Sequence, residues 1–238
     1  MSVIDDTLPR ALSRAAGLEL AAYREEYVAE RVRRALERER VDGLQGLISL
    51  LAADRGARSR FRRSVAVSVS GLFRDPAQFD LLERELLPAL LAGGKQLRVW
   101  SAGCADGSEL YSVAVLLERL GALDQAFLLG SDLLEENLAA AGRGVYGEVA
   151  VSDRLRARVR WERRDLVREG APAGKWRLVL CRNVAIYLTA SAKRALHEVL
   201  AGSLAPGGLL MLGRSERLAD PRKLGLERIA PHVYRSFG

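Results

Sequence analysis

The chain has 238 residues, is 49% apolar and carries a formal charge of +7, nearly all of its positive charge being arginine. That excludes a disordered chain and leaves room for one large domain, or a large and a small one. It suits an acidic partner such as nucleic acid, anionic lipid or an acidic protein face, although a GC-rich genome would write the same arginine bias. The two cysteines, Cys104 and Cys181, sit in apolar segments, as expected of a reduced, cytoplasmic protein. The N-terminal residues lack a signal-peptide pattern, and no apolar run approaches the ~20 residues that span a bilayer.

In chain order, residues 1–66 read as a small helical domain. Tyr23, Tyr27, Val28, Val32, Ala35 and Leu36 recur at spacings of three and four, the period of one helix face. Leu47, Ile48, Leu50 and Leu51 open a further helix that Gly56 is expected to end. Residues 67–96 form a linker and a connecting helix, Gln78–Leu91, behind Pro76. From residue 97 to 238 strands and helices alternate. Strands are expected at 97–101, 126–131, 158–162, 177–181 and 208–213, and helices at 109–120, 135–142 and 191–203. A further edge strand is expected within Leu224–Phe237. Such alternation argues for an α/β fold with a doubly wound, mostly parallel sheet.

The segment LRVWSAGCADGSELYS (Leu97–Ser112) runs from a strand through a small turn into a helix, an arrangement that brings bare backbone N–H groups to a cofactor. It contains neither G-x-G-x-x-G nor G-x-x-x-x-G-K-[ST], so neither a dinucleotide loop nor a P-loop is supported. A looser loop around Gly103 and Gly107 suits a cofactor without phosphates. Equally, any tight strand-to-helix turn uses glycine. Asp132 ends the second strand, placed to accept from ribose hydroxyls. Its alternative role is a helix cap completed by Glu135. Asp165 and Leu166 follow the third strand, where a carboxylate and an apolar surface suit an adenine ring, or where a solvated loop aspartate would lie. In CRNVAIYL, Arg182, Asn183 and Tyr187 interrupt an apolar run. Buried polar groups need partners, so these residues either meet a ligand or cap a turn and fill a core.

Taken together and in order, SAGC-x-x-G-x-E-x-YS, SD, CRNV-x-IY and L-x-PGG-x-L-x-LG-x-SE-x-L resemble the chemotaxis (CheR-type) protein-glutamate methyltransferases. The FRD element and A-x-R-G-x-Y at 141–146 fit the same family, and the likeness covers about residues 66–236. It implies a helical N-terminal domain followed by a Rossmann-like domain that binds S-adenosylmethionine, without a metal, and transfers its methyl group to receptor glutamates. The cofactor-binding positions it implies are Ser68, Ser70, Arg74, Gly103, Glu109, Asp132, Asp165, Leu166, Arg182 and Asn183. Arg74 and Tyr187 are implied nearest the reacting carboxylate and methyl. A glutamate, with a pKa of ~4.3, needs no general base at neutral pH.

The chain departs from the family pattern in having Ser68 and Ser70 for asparagine and threonine, Leu72 for phenylalanine, Leu134 for an acid and Arg214 for histidine. The stretch between Tyr146 and Trp161 is too short for the three-stranded subdomain with which many members hold a receptor tail, so that subdomain is expected to be absent or vestigial. The substrate, an acidic helical bundle of a chemoreceptor or similar protein, would then be met through the arginines of the helical domain, which are otherwise salt-bridged, solvated faces. Two alternatives stand beside this reading: a cofactor-binding regulatory module with little catalysis, and a methyltransferase of another substrate. Nucleic acid is the weaker form of the latter, because aromatics are only 6% of the chain.

Overall fold

The computed structural model describes residues 7–66, 71–94 and 96–237, so Ser68 and Ser70 lie outside the described residues. The chain divides into two compact units, Met1–Ser68 with Tyr187–Lys193, and Val69–Ile186 with Arg194–Gly238.

The first unit is helical: α1 (Thr7–Ala16), α2 (Glu25–Glu39), α3 (Gly43–Ala53) and α4 (Arg55–Val65). Its core is built from Leu12, Leu18, Leu47, Leu51, Phe61 and Val65, all buried. Gly56 does not end α3 as the sequence implies. Asp54 stands between α3 and α4, and its carboxylate accepts from the N–H groups of Gly56 and Ala57 at 2.7 and 3.0 Å. That N-cap satisfies two of the orphan donors of α4, and Gly56 falls in the first turn of that helix. Segment 187–193 joins this unit by backbone pairing. Arg24 N–H donates to the Tyr187 carbonyl at 3.1 Å, and Thr189 N–H to the Ala22 carbonyl at 2.8 Å. The Tyr187 ring stacks on Tyr27, centroids 4.8 Å apart, and the Tyr27 hydroxyl donates to the Val65 carbonyl at 2.6 Å.

The charge of this unit is mostly matched locally. In α2, Arg33 and Arg34 share Glu30 at 2.9 and 2.5 Å. Arg38 of α2 and Arg60 of α4 share Glu39 at 2.8 and 2.7 Å, which ties the two helices together. Arg58 donates to the last carbonyls of α3, Leu51 and Ala52, at 2.7 and 2.6 Å, where a cation also opposes the helix dipole. α4 holds five arginines and no acid, so the excess positive charge of the unit lies there and not on α2, which has more glutamates than arginines.

In the second unit, α5 (Pro76–Leu81) runs through a π-helical segment, Leu82–Leu86, into α6 (Leu87–Leu91). Pro88 explains the widening: it has no N–H for the i−4 carbonyl, and its ring crowds the preceding turn. β1 (Leu97–Ala102), α7 (Ser108–Arg119), β2 (Ala126–Asp132) and α8 (Glu135–Arg143) follow. Next come β3 (Val145–Tyr146) and β4 (Val149–Ala150), α9 (Asp153–Arg158), β5 (Val159–Arg163) and β6 (Trp176–Cys181). Then come α10 (Ala190–Ser203), whose residues from Arg194 onward belong to this unit, β7 (Leu204–Leu212), β8 (Leu226–Ala230) and β9 (Val233–Ser236).

The sheet runs in the order β5-β2-β1-β6-β7-β9-β8. β5, β2, β1, β6 and β7 are parallel, and β9 is antiparallel to both β7 and β8. The C-terminal run thus supplies a two-stranded edge instead of the single strand expected. Alternate residues Leu97, Val99, Leu178, Leu180, Leu209 and Met211 pack under Leu110, Val113 and Leu117 of α7 and Phe79 and Leu82 of the α5 region. This is the period-two face of a strand meeting the apolar stripe of a helix. Where the inserted subdomain would stand, the described residues hold only the β3–β4 hairpin of two-residue strands and the six-residue α9. Among the described residues no helix is long and apolar enough to cross a membrane.

Glu39 carries the clearest pH dependence of the fold. The guanidinium of Arg60, then that of Arg38, hold its carboxyl down at about 2. A depressed carboxylate contributes stability that is complete above its unfolded pKa of ~4.3 and is lost as pH falls through the folded value. Glu39→Gln is therefore expected to lower the thermal midpoint at neutral pH and to leave it nearly unchanged near pH ~2, as followed by circular dichroism.

Candidate active site

Strand order reverses direction between β1 and β6, and α/β sheets bind ligands in the crevice beyond the carboxyl ends of the strands at such a switch point. A cleft lies there, lined by Gly71, Arg74, Gly103, Cys104, Ala105, Ser108, Glu109, Arg182 and Asn183. The sequence-derived positions Arg74, Gly103, Glu109, Arg182 and Asn183 are thereby brought together. The backbone around the cleft is strained. Phe73, Asp75, Ala105 and Asn183 all have positive φ, between 50° and 63°. Non-glycine residues hold this conformation at a cost, and only where the surroundings enforce it.

Arg182 does much of that enforcing. Its guanidinium is buried and donates from Nε to Gln78 Oε1 at 2.9 Å, and from Nη2 to Asp75 Oδ2 at 2.6 Å and the Arg74 carbonyl at 2.8 Å. Nη1 reaches Glu109 Oε2 at 3.3 Å, and the group lies over the Phe79 ring, 5.3 Å from its centroid. One cation at the end of β6 thus fastens the turn before α5 and the first turn of α7 to the sheet. Asp75 precedes Pro76 at the head of α5, yet its side chain caps no amide of that helix. Its carboxylate turns to Arg182, and to Arg214 at 3.7 Å. Phe73 N–H donates to the Ser112 hydroxyl at 2.8 Å, so Arg74 is held on both sides. Burial pushes the Glu109 carboxyl up, against the pull of Arg182 and of the Ser101 hydroxyl, which donates to Glu109 at 2.7 Å.

The loop after β1 pairs five of its amides internally, where the sequence implies bare ones. Gly103 and Cys104 N–H both donate to the Ser131 carbonyl, at 2.8 and 2.9 Å, and Gly107 N–H to the Cys104 carbonyl at 2.9 Å. Ala105 N–H donates to Asp132 Oδ2 at 2.9 Å, and Ser108 N–H to Asp106 Oδ1 at 3.1 Å. The loop folds onto itself because each strand-end amide has a nearer acceptor. Gly107 answers to packing: its φ is +81°, and a Cβ there would stand 2.5 Å from Trp161 and 2.8 Å from Ala141. The Tyr146 hydroxyl braces the loop further by donating to the Asp106 carbonyl at 2.6 Å.

Four sequence-derived positions lie outside the lining of this cleft. Asp132, at the end of β2, accepts from Ala105 N–H, Leu134 N–H and the Asn137 amide, at 2.9, 2.9 and 3.0 Å. Burial raises its pKa against those three donors. Asp165 is buried beside Leu166, and its Oδ1 accepts from the N–H groups of Val167 and Arg168 at 3.0 and 3.2 Å. Tyr187 belongs to the helical unit, against Tyr27. Reading the sequence missed Asp75, Gln78, Ser112 and Glu216, all of which fix the loops of this site. Asp75, Ser112 and Glu216 carried a signal, since they stand in the FRD, SAGC-x-x-G-x-E-x-YS and LG-x-SE elements, while Gln78 carried none.

The CheR methyltransferase, SAM-binding domain, family model matches residues 68–153 and 147–230. The chain is 30% identical over 247 residues to a chemotaxis protein methyltransferase of Listeria monocytogenes, covering 94% of each chain. It is 30% identical over 239 residues to chemotaxis protein methyltransferase 1 of Pseudomonas aeruginosa, covering 87% of each. Among solved structures it is similar to a magnesium protoporphyrin IX methyltransferase from Synechocystis with S-adenosylhomocysteine bound, with 20% identity, a TM-score of 0.40, and 87% and 71% of the two chains covered. The domain is that of an S-adenosylmethionine-binding protein, and the chain belongs to the CheR methyltransferase family. The donor set fits that cofactor, because the Glu109 carboxylate and the Arg74 guanidinium line one cleft and match the opposite charges of an amino-acid zwitterion.

Gly107 gives a direct check on the loop. Gly107→Ala is expected to cost about 1–3 kcal/mol or more in urea unfolding, from overpacking against Trp161 together with a φ that side chains avoid. Replacing Trp161 by leucine in the same chain should return only part of that loss.

Proposed function

We propose that this protein transfers a methyl group from S-adenosylmethionine to glutamate side chains of a chemoreceptor or a related signalling protein. The observation that carries the reading is the cleft at the β1/β6 switch point, which Arg74, Glu109 and Arg182 line together within a domain of the CheR family.

When bound, S-adenosylmethionine supplies a methyl group on a positively charged sulfur. In this reading Glu109 holds the ammonium of its amino-acid part. Arg74 pairs with a carboxylate, either that of the cofactor or that of the incoming glutamate. Asp132, at the end of β2, takes a ribose hydroxyl, while Asp165 and Leu166 receive the adenine. Gly103, Arg182 and Asn183 complete the wall, and Ser68 and Ser70 contribute from the segment before Gly71. A glutamate carboxylate is ionised at neutral pH and is already a nucleophile. The task of these residues is therefore to hold two groups in line and to exclude water, and alignment alone is worth up to ~7–11 kcal/mol. The arginines of α4 suit an acidic helical receptor bundle, which they would attract at long range.

The test is transfer of a tritiated methyl group to a chemoreceptor signalling fragment. The label is expected to leave as volatile methanol in base, the signature of a carboxyl ester. Arg74→Ala is expected to lower kcat/KM by about a hundredfold or more without changing the circular dichroism spectrum. Label that resists base would mean another substrate. S-adenosylhomocysteine binding without transfer to any receptor fragment would mean a regulatory module.

A further inference from the structure

The turn after β6 contains an anion-binding arrangement that the chain fills from within. The N–H groups of Asn183 and Ala185 converge on the carboxylate of Glu216, at 2.6 Å to Oε2 and 2.8 Å to Oε1. Gly213, after β7, donates its N–H to the same Oε2 at 3.0 Å. Successive amides in a turn with a left-handed residue form a concave nest for an anion, and Asn183 has φ 63°. Glu216 is itself buried and fixed. Its N–H donates to the Gly213 carbonyl at 2.9 Å, and its carbonyl accepts from the His232 ring at 2.7 Å. Gly213 is the point of convergence, where a Cβ would stand 2.7 Å from Glu216 Oε2 and 2.9 Å from the Asn183 nitrogen.

A buried carboxylate needs its oxygens satisfied, and here backbone amides from two neighbouring strand ends supply the donors. An amide side chain in its place would present an NH2 group to one of those donors. The carboxylate therefore selects one backbone conformation for 183–185 and one spacing between the loops after β6 and β7. Asn183 lines the cleft and Glu216 does not.

We propose that Glu216 is a positioning residue of the methyltransferase site, holding the Asn183 turn in its left-handed form so that the Asn183 side chain faces the bound cofactor. This rests on the functional reading above. It assigns a role to an internal carboxylate in the LG-x-SE element that touches neither substrate nor cofactor.

The test is a double-mutant cycle in S-adenosylhomocysteine affinity, measured by calorimetry on the full chain. Glu216→Gln is expected to weaken binding about tenfold or more, the scale seen when partners that orient ligand-holding side chains are lost. Asn183→Gly keeps the left-handed turn at no steric cost but removes the side chain, and should weaken binding by a similar factor. The double variant should bind no worse than the weaker single one, because both changes remove the same contact. Losses that multiply would show independent effects and overturn the proposal, as would Glu216→Gln or Asn183→Gly binding like wild type. Should Glu216→Gln fail to fold, Gly213→Ala wedges the same contact apart and takes its place in the cycle: losses that do not multiply support the proposal, and losses that multiply overturn it. Wild-type protein that binds no S-adenosylhomocysteine would instead overturn the functional reading itself, and this inference with it.

Discussion

The site hangs on a single buried guanidinium. Arg182 leaves the end of β6 and directs its donors to Gln78, Asp75, the Arg74 carbonyl and Glu109. A buried cation is costly unless every donor is matched, and removing one partner of such a cluster typically costs ~3–5 kcal/mol. The same severity makes the cluster a good locator. The turn that carries Arg74 and the helix start that carries Glu109 are both fastened to one point on the sheet. What the cluster yields in function is placement, since a buried ionic group often adds little net stability.

The strained backbone is the other half of that arrangement. Phe73, Asp75, Ala105 and Asn183 adopt left-handed φ, and each is bound where the strain sits. Phe73 is tied through Ser112, Asp75 through Arg182, Ala105 through Asp132, and Asn183 through Glu216. Four side chains from elsewhere in the chain thus offset four local costs. Rigid elements carry the loops, and internal hydrogen bonds shape them before any ligand arrives, which is how a site avoids reorganising at the moment of reaction.

Much of the scaffold was legible from periodicity. The parallel strands and their helices fall within a residue or two of the pattern that the apolar runs impose, because burial on both faces leaves few other arrangements. β7 is the exception: Leu204–Leu212 begins earlier than its PGG turn suggested, and the C-terminal run pairs with itself as well as with β7. Gly56 misled because a capping aspartate just before it decided the helix boundary. Of the site, Arg74, Gly103, Glu109, Arg182 and Asn183 stood in ordered motifs, and they line one cleft. The pairings that hold them were not readable. Gln78 meets Arg182 across 104 positions and Glu216 meets Asn183 across 33, and no local pattern encodes such a pairing. Gly107 and several amides of the first loop were read for a ligand, when Trp161, Ser131, Cys104, Asp106 and Asp132 engage them.

Arg182→Lys probes this account most directly. Lysine keeps the charge but presents a compact ammonium that cannot serve Gln78, Asp75, Glu109 and the Arg74 carbonyl together. Calorimetric titration of that variant with S-adenosylhomocysteine, alongside near-ultraviolet circular dichroism to confirm the fold, should show affinity weakened by about tenfold or more, the scale attached to losing an orienting partner. A folded lysine variant that binds as tightly as wild type would contradict the account, because Arg74 and Glu109 would then be held in place by something other than that guanidinium.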